Sequence, residues 1–441
     1  MTVGLVIAYP VDQVETFTRE DYDPLIHGAS PPPVIQRIRR LRAGFGDGRR
    51  RLSQGKIDGP KAPNTLSAPG RFVRREFGGK SWRRLAETVL RRTLGLRRGQ
   101  TVLIETGSET LSAAEVLTVE ARRLGIRPLL MHVPEWSFFE AQTVAAPEDA
   151  NALSPAEVAA LKASSGYILL PPSVETIRRR NQLPRSHQAT IRVRRWAWNR
   201  LLIENSIPSV NLLAASATRA DAAIFGVDFG RWQREIVAAS LVAPRSIRSR
   251  AKPLLRALRS GRELTITHRN GTHLALRLLG VEPMLDAGEI RSSMADRGPL
   301  WTTVPSGYLV VPLDERAAEG RLRSNVPFHY RGDVIDGIDW TFRGGRLRKI
   351  DARNGRKRYL ESYRSAGRER NRPGAIHIGL NPEMHDLPGL EDQELGVIAV
   401  VIGYNDDIGG RTHGTYRQYA DIRGGTLAVD GKDIVRSGRL V

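Results

Sequence analysis

The sequence predicts an α/β protein: an N-terminal α/β domain with a mostly parallel sheet, followed by a strand-rich α+β domain. Three observations carry this. From Ser81 to about residue 245, short apolar runs alternate with amphipathic helical stretches, the pattern of βαβ units. Beyond residue 250 the dipeptides Asn270-Gly271, Gly344-Gly345 and Asp430-Gly431 mark hairpin turns. With 441 residues, 40% of them hydrophobic, the chain can build more than one core. The division that follows is a basic N-terminal extension over 1–80, an α/β domain over 81–245 and an α+β domain over 246–441.

The elements justify themselves in order. Val3 to Ala8 is a short apolar run, after which the chain turns acidic. Pro31-Pro32-Pro33 opens a basic stretch rich in Gly and Pro, with a long loop or arm over 44–70. Trp82, Leu85, Ala86, Val89, Leu90 and Leu94 recur at helical spacing, and Gly95 stands at the capping position. Thr101 to Ile104 is a buried strand, Leu111 to Leu124 a helix ending at Gly125, and Leu129 to Met131 the next strand. Ser154-Pro155-Ala156-Glu157 is a capping box with Pro at the first helical position. Tyr167 to Leu170 and Val210 to Leu213 are further strands. The alternation Ile191-Arg192-Val193-Arg194 reads as a half-exposed strand before a short helix. Glu263 to Thr267 and Leu274 to Leu278 flank the Asn-Gly turn.

Composition removes several chemistries. No cysteine is present, so disulfides, thiolate nucleophiles, zinc–thiolate sites and iron–sulfur clusters are excluded. No nucleophile elbow, phosphate-binding loop or His-Glu-x-x-His motif occurs. No apolar run approaches the roughly 20 residues of a membrane span. The first residues do not read as a signal peptide. A cytoplasmic protein without membrane partners is the expectation.

The net charge is +21, and residues 31–100, with 19 Lys and Arg against four acids, supply +15 of it. That segment suits an acidic partner, and residues 31–80 are the expected docking arm for one. A second basic run, Arg178-Arg179-Arg180 through Arg195, stands beside Trp196 and Trp198. Arginine with aromatics can grip phosphates and stack bases, so a nucleic-acid-binding protein stays open as an alternative.

Five short motifs in order point to a family. The run Arg97 to Thr106 with Arg123 to Leu130, the Gly271-Thr272 turn, Val304-Pro305-Ser306-Gly307, Gly379-Leu380-Asn381-Pro382, and Gly403-Tyr404-Asn405 followed by Asp421 resemble the thermophilic aminopeptidase family. This is the aminopeptidase T and leucyl aminopeptidase-like group, whose superfamily includes dihydroxypyridine dioxygenases. The resemblance implies a two-domain, often dimeric protein with a metal site in the C-terminal domain. It implies two divalent ions and binding of a peptide N-terminus for the aminopeptidases, and one ferrous ion for the dioxygenases.

Carried over position by position, the implied ligands fall on Tyr308, Ala375, Ala399, Asp406, Tyr419 and Asp421. Only Asp421 keeps the family's residue type. Alanine side chains donate nothing to a metal, and two adjacent divalent ions need several anionic or imidazole donors. The dinuclear centre is therefore expected to be lost or rebuilt. The rebuilt form would use His377, His413 and Asp421 as two histidines and one carboxylate around one ion, zinc, cobalt, manganese or iron. The other alternative is no metal at all. Tyr308, Asn381, Asn405 and Tyr419 are the expected substrate-binding residues.

The resulting expectation is a divergent aminopeptidase T-like homodimer. It binds a peptide or peptide-like small molecule in an interdomain cleft. An active metal-dependent aminopeptidase is the principal alternative.

Overall fold

The computed structural model describes residues 77–441, apart from 147–148, 150–151, 292–299, 331–332 and 415. The basic arm expected over 31–80 lies almost wholly outside the described residues. Among the described residues the strands form three sheets.

The first sheet begins with β1 (Thr101–Thr106), β2 (Arg127–His132), β3 (Gly166–Leu169) and β4 (Ser209–Asn211), all parallel. Helices Leu111–Arg123, Pro155–Lys162 and Arg185–Glu204 lie between them in the chain. Such crossovers are what parallel strands require. β3 is buried throughout, as strands covered on both faces are. The capping box forms as expected: Ser154 Oγ accepts from Glu157 N, and the Glu157 carboxylate accepts from Ser154 N. One expectation is corrected. Ile191 to Arg194 lie inside the 20-residue helix Arg185–Glu204, not in a strand. Four alternating residues mimic a strand, but Trp198 and Leu202 stand four residues apart and bury the same helical face.

The second half opens with helix Pro244–Ser260 and the hairpin of β5 (Glu263–His268) and β6 (Thr272–Leu278). Gly271 takes a φ of 89° in its turn, a conformation that costs other residues a Cβ clash. Next come β7 (Met284–Asp286), β8 (Trp301–Thr303) and the 16-residue β9 (Tyr308–Arg323). β10 (Phe328–Tyr330) and β11 (Asp333–Ile335) make a separate ribbon. β12 (Asp339–Arg343) and β13 (Arg346–Asp351) form the Gly344-Gly345 hairpin. β14 (Pro373–Gly379), β15 (Ile398–Gly403) and β16 (Arg417–Ile422) follow, then β17 (Thr426–Val429), β18 (Lys432–Arg436) and β19 (Arg439–Leu440). Apart from β8 and the small ribbon, these strands form one large antiparallel sheet, ordered β16-β15-β14-β9-β6-β5-β17-β18-β19 along its main path.

The two halves interlock rather than sit side by side. β8 returns to the first sheet and pairs parallel with β4. Val304, Met384, Leu387 and Leu390 from the second half complete the hydrophobic core of the first. Residues 77–441 belong to one compact unit with no division at 245. No helix among the described residues is long and apolar enough to cross a membrane.

Candidate functional site

The register of the large sheet collects the family-like positions on one face. Residues directly opposite in neighbouring strands point to the same side. Val310, His377, Ala399 and Asp421 form one such row across β9, β14, β15 and β16. Ala375, Val401 and Tyr419 form the row two residues along. Tyr308 stands opposite Gly379 in the row on the other side. Tyr308, Ala375, Ala399, Tyr419 and Asp421 therefore share a face with His377. All six are at least nine-tenths buried.

His377 is the hub. Its Nδ1 lies 2.8 Å from Asp392 Oδ2, and both side chains are buried. Tyr308 stacks on its ring at 5.5 Å and 9°, and Tyr419 meets it edge-on at 5.2 Å. Phe328 covers Tyr419 at 6.0 Å. Next to this cluster, His329 Nδ1 bonds the buried Glu391 carboxylate.

The electrostatics are lopsided. Burial pushes the Asp421 carboxyl well above its usual range, reinforced by Asp392 and Glu391, while Arg423 only partly offsets them. Its Oδ1 has no hydrogen-bond partner among the described residues, nor has Asp392 Oδ1. Burial likewise raises the Tyr308 hydroxyl, with Asp286 and Asp392 adding to the effect. Tyr419 is raised mainly by burial, against the pull of Arg417. Arg417 is buried too, with its guanidinium 4.0 Å over the Tyr404 ring and 2.5 Å from Asp407.

These residues do not fit a two-metal centre. The middle of the face carries the methyl groups of Ala375 and Ala399, which donate nothing to a cation. Among the described residues, no three His, Asp or Glu side chains are grouped so as to hold a metal ion. The trio His377, His413 and Asp421 is accordingly not assembled. His413 is half exposed and bonds Asp406 at 2.9 Å, whereas His377 is committed to Asp392.

Two expected substrate-binding residues also serve the backbone. Asn381 Nδ2 donates to Ala239 O and Ser306 O, and its Oδ1 accepts from Glu383 N. Asn405 Nδ2 donates to Gly374 O, and its Oδ1 accepts from Thr412 N. These fully buried amides hold loops together through backbone hydrogen bonds. Of the second basic run, Arg194 pairs with Glu157, and Arg195 pairs with Glu105 at 2.7 Å.

Sequence reasoning missed Asp392, the partner of His377. Its only signal was the polar run Glu391 to Glu394 just before an apolar strand. It named an interdomain cleft but none of the residues that line the cavity of about 430 Å³ between the halves, among them Arg84, Arg91, Arg92, Ile247, Val304 and Ser306.

No family profile matches the sequence, and no curated protein matches it. Solved structures do. Wild-type AmpT from Thermus thermophilus matches with a TM-score of 0.60 at 15% identity, over 82% of this chain and 99% of that one. A 2,5-dihydroxypyridine dioxygenase from Pseudomonas putida KT2440 matches with a TM-score of 0.53 at 16% identity, over 82% and 96%. The chain shares the fold of these two proteins.

Proposed function

We propose that this chain uses the AmpT-like fold without a two-metal centre, and binds a peptide or peptide-like small molecule rather than hydrolysing it by metal-activated water. One observation carries the reading. Ala375 and Ala399 occupy the middle of a buried sheet face on which every position but Asp421 has exchanged its implied ligand for tyrosine or alanine. A hydrolytic pair of ions needs donors there, and methyl groups supply none.

The face is sealed by its tyrosines, so the ligand is assigned to the cavity between the two halves. Its volume of about 430 Å³ suits a small molecule. The test is elemental analysis of the dialysed protein together with calorimetric titration of dipeptides. Micromolar to millimolar dipeptide binding with no stoichiometric metal is expected. Two metal equivalents per chain, with release of N-terminal residues, would overturn the reading in favour of an active aminopeptidase.

A further inference from the structure

The cavity has a charge character that nothing in the fold comparison assigns. Arg84, Thr88 and Arg92 follow one another at i, i+4 and i+8 along helix Gly79–Thr88 and its continuation, so they share a side. Glu87 and Arg91 form the adjacent row. The continuation, Val89–Thr93, is a π-helical turn closed by Leu94 N donating to Val89 O at 3.0 Å. Such turns occur mostly as single insertions in helices and concentrate at functional sites.

The three arginines have no ion-pair partner among the described residues. Arg194, Arg195, Arg259, Arg321 and Arg417, by contrast, face carboxylates. Glu87, the one acid in the wall, lies 3.5 Å from Arg123. Its charge is thus shared with a cation outside the cavity.

A second observation comes from the other wall. Ser306 lines the same cavity and is 4% exposed, and its hydroxyl has no hydrogen-bond partner among the described residues. A buried hydroxyl left unpaired costs free energy, and a ligand atom would satisfy it. Leu241, Ile247 and Val304 add apolar surface to the same cavity.

We propose that this cavity is a binding site for a small organic anion whose carboxylate or phosphate meets Arg84, Arg91 and Arg92. Its apolar body lies against Ile247 and Val304, and a polar atom reaches Ser306. The proposal rests on the preceding reading for the place of the ligand and adds the charge class. Guanidinium groups suit either headgroup, because both accept paired hydrogen bonds in one plane.

The test is calorimetric titration of the full chain with benzoate, phenyl phosphate, neutral benzamide, leucyl-leucine and leucyl-leucinamide. The two anions, and the free dipeptide over its amide, should bind about tenfold more tightly than the neutral forms. The double variant R91A/R92A should lose that preference, and S306A should weaken all ligands several-fold. These arginines are exposed, and circular dichroism would confirm that the variants fold. Equal affinity for acid and amide, unchanged in R91A/R92A, would overturn the anion site while leaving peptide binding intact. Arginine-dependent binding of benzoate or phenyl phosphate without either dipeptide would support the anion site and overturn the peptide reading.

Discussion

Two acids, a half-buried one in the first half and a buried one in the second, meet opposite treatment. In the parallel sheet, the Glu105 side chain on β1 receives two atoms of Arg195 and the Tyr167 hydroxyl. In the antiparallel sheet, Asp421 on β16 has one carboxylate oxygen with no partner among the described residues, with Asp392 and Glu391 raising its pKa further. The difference separates an acid that the fold compensates from one that it does not. A carboxylate that a fold uses for stability is given a cation and donors. One that lies beside other acids with only partial compensation is a position the fold does not need for stability. The buried Asp407 side chain faces the Arg417 guanidinium, two residues before Tyr419, so it too is given a cation, although its Oδ2 has no partner among the described residues.

The largest test of that contrast is D407A, which strands the buried Arg417 guanidinium. A loss of about 3–5 kcal/mol is expected in urea unfolding. A loss below about 1 kcal/mol would erase the distinction drawn here. D421N should act in the opposite sense, raising stability near neutral pH by about 1–3 kcal/mol as an uncompensated acid is removed. The sign follows from linkage. The folded state keeps the Asp421 proton at pH values where the unfolded chain has released it. Stability from this group is therefore full in acid and falls as pH rises above about 4 towards its raised folded value. Thermal melts at stepped pH should show that decline in the native chain and a flatter profile in D421N. E105Q, which weakens a half-buried network, should cost about 1–2 kcal/mol. The smallest effect is S154A, which breaks the capping box of helix Pro155–Lys162 and should lower stability by about 1 kcal/mol.

Much of the fold was legible because its cues are local. The capping box at Ser154, the Asn-Gly turn at 270–271 and the apolar strand Thr101 to Ile104 each state their structure within a few residues. The helix Arg185–Glu204 was obscured because a short Ile-Arg-Val-Arg alternation satisfies a two-residue period as well as a helical one. The return of β8 to the first sheet left no trace in its own three residues, since parallel pairing across 90 residues is a tertiary choice. At the candidate site, sequence motifs placed Tyr308, Ala375, Ala399, Tyr419 and Asp421, and the register put them on one face. The motifs could not show that Asp392 takes His377, or that Asn381 and Asn405 are tied to backbone carbonyls. Those are facts of packing between segments far apart in the chain.

β9 has a consequence for how the molecule opens. Its first residues pair with β14 and β7, and its last with β6 and β12. One continuous strand thus underlies both the tyrosine-lined face and the hairpins at the other end. Each region therefore draws part of its pairing from the same strand. Amide protons along Tyr308–Arg323 should therefore exchange with solvent together and slowly, with the free energy of global opening. The central strand is then the last element to come apart, and the polar cluster on its face meets water only when the whole sheet does.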